Sequence, residues 1–156
     1  MIGRLPFLGD QLLSALVAEA EQQRPGGRPG DVLSRLAVSR QLRESVGAAV
    51  GSPVVPTYAA VYQYHRPGAE VRPHRDGPGY DLVFHLTLAH EHPQSVLEVE
   101  GHDGGIPLPP GHGLVLRGQA ALHRWTPLAA DERRTLIAVG FAEAGSQPDT
   151  GGSERV

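Results

Sequence analysis

From Thr57 onward the hydrophobic period of the chain is two, broken every few residues by Gly, Pro, Asp or His, and this constrains the fold more than any other feature. A period of two places alternate side chains on opposite faces of a strand. The segment Tyr58-Ala59-Ala60-Val61-Tyr62-Gln63-Tyr64 is rich in β-forming residues and ends at the turn His65-Arg66-Pro67-Gly68. Further strands are expected at Glu70 to His74, Tyr80 to Ala89, Ser95 to Glu100, Gly113 to Leu116, Ala120 to Trp125 and Arg133 to Phe141. Many short strands with Gly/Pro turns suggest a barrel or a jelly roll.

The first third reads differently. Leu12, Leu13, Leu16, Val17 and Ala20 recur at helical spacing after Asp10, a good N-cap, until Arg24-Pro25-Gly26-Gly27. A loop through Pro29-Gly30 follows; Ser39 then caps a second helix carrying Leu42, Val46, Ala49 and Val50, closed by Gly51-Ser52-Pro53. The fold class is thus mainly β with N-terminal helices (α+β). At 156 residues the size suits one domain, 1–142, with a helical buttress over 8–51 and a β core over 57–142. The tail 143–156, rich in Gly, Ser and polar residues, reads as disordered.

Two absences narrow the chemistry. There is no cysteine, which excludes thiolate zinc sites, iron–sulfur clusters and thiol nucleophiles, and the sequence contains no lysine, which excludes Schiff-base catalysis and a phosphate-loop lysine. Imidazole, carboxylate, guanidinium and hydroxyl groups remain. A net charge of -3 with no basic stripe argues against nucleic acid as the main partner. No apolar run is long enough to cross a membrane, and the N-terminus lacks the plan of a signal peptide, so a cytoplasmic location is expected.

Within that chemistry, His74, Asp76 and His123 stand out. On a strand His74 and Asp76 project to one side and can grip one ion together, with His123 supplied by a second strand beside the first. Two His and one carboxylate with open positions is the ligand pattern of non-haem Fe(II) oxygenases. Taken alone, His74 and Asp76 would more often be a hydrogen-bonded pair than a metal site. The other histidines of interest, His90, His92, His102 and His112, lie in loops and Gly-rich turns and are expected to be exposed. Downstream, Arg133 and Arg134 open an apolar strand, and such a guanidinium can hold an anionic co-substrate by a two-pronged contact. Alternation lets only one of them face a pocket, and Arg134, with Leu136 and Ala138 beside it, is preferred. In Asp81 to Leu88 the even positions are all apolar, which leaves Thr87 and His85 on the other face, toward a pocket.

The order Tyr64-x-x-Pro67-Gly68, His74-Arg75-Asp76, Pro109-Pro110-Gly111-His112-Gly113, His123 and Arg133-Arg134-Thr135 resembles the catalytic core of the Fe(II)/2-oxoglutarate-dependent oxygenase superfamily, in a compact prolyl-hydroxylase-like or phytanoyl-hydroxylase-like form. The match runs from about Tyr58 to Phe141, roughly half the chain. The resemblance implies a double-stranded β-helix (jelly-roll) core, Fe(II) bound by His74, Asp76 and His123, and 2-oxoglutarate and O2 as co-substrates. It implies that Arg134 or Arg133 meets the distal carboxylate of 2-oxoglutarate, and that Tyr64 hydrogen-bonds the same molecule, though a tyrosine there serves equally as a wall aromatic. Related halogenases have Gly or Ala in place of Asp76, so its presence here implies hydroxylation as the default, with desaturation and demethylation left open.

Arg72, Arg75, Arg117, Arg124 and Trp125 flank the ligands and are expected to form a mouth for a small carboxylate-bearing molecule, such as an amino acid or natural-product intermediate, with Arg75 turned to the surface. With few extra loops, the N-terminal helices or a homodimer partner would complete the site. The competing readings are a cupin-like metal protein, whose usual His-x-His with a following Glu is missing, and a binding module without catalysis.

Overall fold

The computed structural model describes residues 3–5, 9–23 and 28–145, as a short strand, three helices and seven further strands. In chain order these are β1 (Arg4–Leu5), α1 (Asp10–Gln22), α2 (Asp31–Ala37), α3 (Arg40–Val50), β2 (Val54–Tyr64), β3 (Val71–His74), β4 (Leu82–Glu91), β5 (Leu97–Val99), β6 (Gly113–Leu116), β7 (His123–Trp125) and β8 (Arg133–Glu143). The strands form two antiparallel sheets, a five-stranded one in the order β1-β6-β4-β8-β2 and a three-stranded one in the order β3-β7-β5.

The larger sheet is covered on both faces, and its sequence shows how. Leu82, Phe84, Leu86 and Leu88 of β4, Val115 of β6, and Ile137, Val139 and Phe141 of β8 join the helices in one core with Leu16, Leu33, Leu36, Leu42 and Val46. The alternate residues Leu114, Leu116 and Leu136 turn the other way and pack with Leu97, Val99 and Trp125 of the smaller sheet in a second core. Strand alternation therefore separates a helix face from a sheet face, and the interior between the two sheets is where the functional residues project.

The helix ends differ from expectation in two places. Asp10 is the first residue of α1 rather than its cap; Gly9 holds the cap position with no side-chain bond. Between the two expected helices lies α2, in a stretch read as loop. Its first turn is capped by Glu19 of α1, whose carboxylate accepts hydrogen bonds from the backbone of Val32 at 2.7 Å and Leu33 at 2.9 Å. At α3, Ser39 Oγ accepts from the Leu42 amide and Gly51 ends the helix in the left-handed conformation, φ 76°, as the sequence indicated.

At the C-terminus β8 continues through Glu143, whose backbone N–H donates to Asp81 and whose carboxylate accepts from Ser52 and pairs with Arg117. This part of the expected tail is ordered sheet; residues 146–156 lie outside the described residues. Among the described residues no helix is long and apolar enough to cross a membrane.

Candidate metal centre

His74 and His123 are register partners on β3 and β7, their ring centroids 4.4 Å apart. Asp76 lies just past the end of β3, where its amide donates to the Gly118 carbonyl at 2.8 Å. The turn between β6 and β7 thus fixes its position, rather than strand geometry alone. One nitrogen from each histidine and one oxygen from Asp76 lie within 4.8 Å of one another. His74 Nε2 stands 3.3 Å from Asp76 Oδ1, and His123 Nε2 stands 3.7 Å from Oδ2.

The outer nitrogens decide the chemistry of the inner ones. His74 Nδ1 is 2.8 Å from the carbonyl of Arg72, and His123 Nδ1 is 3.0 Å from that of Ala121. A carbonyl only accepts, so each Nδ1 carries a proton, and in the neutral ring each Nε2 presents its lone pair toward the carboxylate. Asp76 Oδ2 is buried and has no hydrogen-bond partner. Acceptors that converge in this way require a cation between them, a metal ion or a proton. Backbone carbonyls on the far nitrogens are the usual support of a metal-ligating imidazole. The donor set, two imidazoles and a carboxylate, suits Fe(II). Gly118 leaves the room: a Cβ there would overlap Asp76 Oδ2.

These groups open into a cavity of about 340 Å³ between the sheets, lined also by Tyr58, Tyr62, Tyr64, Tyr80, His85, Trp125, Leu136 and Ala138. A larger, shallower depression of about 440 Å³ touches His123 from the outside of the smaller sheet but contains neither His74 nor Asp76. His85 is 8 % exposed and neither ring nitrogen has a partner. Burial, with the nearby His123, His74 and Arg134, pulls its pKa down to about 3, so it is neutral at ordinary pH.

Of the two competing arginines, Arg134 faces inward and Arg133 faces solvent opposite Glu91. The Arg134 guanidinium is fully buried, stacked 4.0 Å from the centre of the Trp125 ring and 5.0 Å from that of Tyr64. Burial draws its pKa down to about 10, opposed by Tyr64 and Glu132. Nη1 donates to Ser95 Oγ at 2.5 Å, while Nε and Nη2 have no partner among the described residues. Two orphaned guanidinium N–H groups form a fork that a carboxylate fits. Thr87 shares the His85 face and is fully buried with an unpartnered Oγ1, but it sits behind the cavity wall rather than on its lining.

Behind Arg134 lies a cluster that sequence reasoning missed. Glu132 Oε1 accepts from Ser95 N at 2.7 Å, Ser95 Oγ at 2.6 Å and Gln94 N at 2.9 Å, and Oε2 accepts from Ala129 N at 2.9 Å. Burial alone would raise the Glu132 pKa; these hydrogen bonds outweigh it and hold the carboxyl well below the usual range. His90, expected at the surface, instead has a side chain only 5 % exposed with Nε2 2.6 Å from Glu132 Oε1. His92, His102 and His112 are exposed. The expected arginine mouth is likewise absent: Arg117 and Arg124 pair with Glu143 and Glu98, Arg72 extends into solvent, and only Trp125 of that set lines the cavity, while Arg75 lies at the surface as expected, paired with Glu100.

No protein-family model matches the chain, and no curated protein matches it. Solved structures do. The chain is similar to SnoN, a non-heme alpha ketoglutarate dependent epimerase from nogalamycin biosynthesis, at 14 % identity over 92 % of this chain and 76 % of that one, TM-score 0.73. SnoN has also been solved in complex with Fe3+, alpha ketoglutarate and nogalamycin RO. A prolyl-4-hydroxylase of Pseudomonas putida is similar at 20 % identity, over 92 % of this chain and 93 % of that one, TM-score 0.67. An oxidoreductase of the 2OG-Fe(II) oxygenase family from Burkholderia pseudomallei aligns at 15 % identity over 90 % and 84 %, TM-score 0.70. The chain thus shares its fold with these proteins, among them an alpha ketoglutarate dependent epimerase and a member of the 2OG-Fe(II) oxygenase family.

Proposed function

We propose that the protein is an Fe(II)- and 2-oxoglutarate-dependent dioxygenase that hydroxylates a small molecule. The carrying observation is the convergence of His74 Nε2, His123 Nε2 and the Asp76 carboxylate within 4.8 Å at one end of a cavity between the sheets, with a backbone carbonyl on each Nδ1. The likeness to SnoN, which binds Fe3+ and alpha ketoglutarate, supports iron as the ion and 2-oxoglutarate as its partner. In this reading the two sheets are the halves of a jelly roll, and 1–142 is a single catalytic domain.

His74, Asp76 and His123 would hold Fe(II) on one side, leaving its other side to the co-substrates. With O2 and 2-oxoglutarate, iron supplies the oxidation: substrate C–H, 2-oxoglutarate and O2 yield substrate C–OH, succinate and CO2. Arg134, held by Ser95 and stacked on Trp125, would receive the distal carboxylate on Nε and Nη2, with Tyr64 and Thr87 on the same side of the sheet. His85, neutral and unpartnered, would offer a hydrogen bond to a bound group without adding charge. Val71, Val83, Leu136 and the tyrosines give the cavity a mostly apolar wall around the reacting centre. Asp76 as a third ligand favours hydroxylation.

Anaerobic addition of Fe(II) and then 2-oxoglutarate should give a weak visible charge-transfer band that needs both, and His74→Ala or Asp76→Ala should abolish it. No band with the wild-type chain overturns the proposal.

A further inference from the structure

The outer part of the cavity is built from tyrosine. Tyr58, Tyr62 and Tyr64 come from β2 and Tyr80 from the turn before β4. They form two pairs: Tyr58 meets Tyr80 edge to face at 5.6 Å and 84°, and Tyr62 lies parallel to Tyr64 at 6.3 Å and 10°. β8 gives up a side chain to accommodate them. Gly140 is the register partner of Tyr58, and a Cβ there would overlap the Tyr80 ring. A glycine inside a strand weakens it, so its presence where an aromatic ring closes in has a packing reason.

The rim leaves aromatic surface open. Tyr58 is 45 % exposed and Tyr62 37 %. Exposed aromatic surface around a cavity mouth marks a place where a ligand is covered. Charge is the other half of the argument. No arginine lines the cavity, and its charged or chargeable lining groups are His74, Asp76, His123 and His85. Burial and the Tyr58 hydroxyl push the Tyr62 phenol up, and burial pushes that of Tyr64 up against the pull of Arg134, so these two phenols stay neutral. At the rim formed by Tyr58, Tyr62 and Tyr80 a carboxylate would meet no arginine, Arg134 being held at the Tyr64 and Trp125 end, and an ammonium would meet only Asp76, which faces the histidines.

We propose that the tyrosine-lined mouth binds an uncharged substrate through an aromatic ring, with the phenol hydroxyls meeting its hydroxyl or keto substituents; this rests on the metal-site reading above, which sets the reacting end of the cavity. A neutral ring stacks on tyrosine faces or meets their edges with no charge to desolvate.

The test is calorimetric titration of the full chain at pH 7, anaerobically with Fe(II) and 2-oxoglutarate and again without them, using 2-naphthol, 2-naphthoate and 2-naphthylmethylammonium. The co-substrate fills the Arg134 end, so naphthoate cannot score there. 2-Naphthol should bind about tenfold more tightly than either charged analogue, a difference of about 1.4 kcal/mol. Tyr58→Leu and Tyr80→Leu should each weaken 2-naphthol several-fold, and Tyr58→Phe should preserve most of the binding. A charged analogue that binds as tightly as 2-naphthol overturns the proposal, as do folded Leu variants that bind it unchanged. The analogue series uses wild-type protein, so a Leu variant that fails to fold leaves the question decided. The visible band reports separately: a band without the neutral-ring preference removes only this proposal, and the preference without a band removes only the oxygenase reading.

Discussion

Each of the two converging imidazoles is aimed by a carbonyl two residues upstream on its own chain, Arg72 for His74 and Ala121 for His123. The aim is therefore local, and the shared position depends on β3 pairing with β7. Asp76 depends on a single glycine. Gly118→Ala should displace its carboxylate and weaken Fe(II) or Zn(II) binding about tenfold with secondary structure intact. Metal titration monitored by calorimetry checks this, and wild-type affinity would refute it. Arg134→Ala should raise the 2-oxoglutarate concentration needed for half-saturation by about 30-fold, the loss of charge-assisted hydrogen bonds, whereas Arg133→Ala should change it little. Succinate release assayed against 2-oxoglutarate concentration separates the two. His74, Asp76, His123 and Arg134 were legible because spacing and strand alternation put them on common faces. Glu132, Ser95 and Tyr80 were not, since each acts across 20 or more residues of sequence on partners that no local pattern names, for example Ser95 on Arg134 with |i−j| of 39. His90 was misread for the same reason: its loop context says exposed, and its partner Glu132 is 42 positions away.

Among the elements, α3 carried its own boundaries in sequence and α2 did not. Ser39 and Gly51 are local signals, and Ser39→Ala should cost about 1 kcal/mol in urea unfolding. α2 has only seven residues and borrows its cap from Glu19 of α1. Glu19→Gln keeps one acceptor and removes the charge at the helix start, so it should cost roughly 0.5–1 kcal/mol in the same measurement, although it lies outside the helix it stabilises. No change in the midpoint for Glu19→Gln would show that the contact adds nothing. The strands were legible as a set because the period of two persists, while their ends shifted by a few residues where turns such as that of Gly118 take over the pairing.

At the scale of the whole molecule, helices, large sheet and small sheet form three layers, and Glu132 ties the start of β8 to the end of β4 and to Ser95. Its pKa is lower folded than unfolded, so the unfolded chain binds the proton first. The stability that it contributes is fully present above the unfolded carboxyl pKa, about 4.3, and is lost as pH falls through that value toward the lower folded one. Glu132→Gln should lower stability at pH 7 by about 3 kcal/mol and flatten the acid limb of a Tm against pH plot. An acid limb as steep as that of the wild type would remove Glu132 from this role.

In β8 the letters Arg134, Leu136 and Ala138 face the smaller sheet and Ile137, Val139 and Phe141 face the helices. The strand thus carries two interleaved messages that share one reading frame. A point change alters one message and spares the other. Inserting or deleting a single residue before Arg134 would exchange them, turning Arg134 toward the helices and Ile137, Val139 and Phe141 toward the cavity. The cavity wall can therefore be varied by substitution along this strand, but not by changing the strand's length one residue at a time.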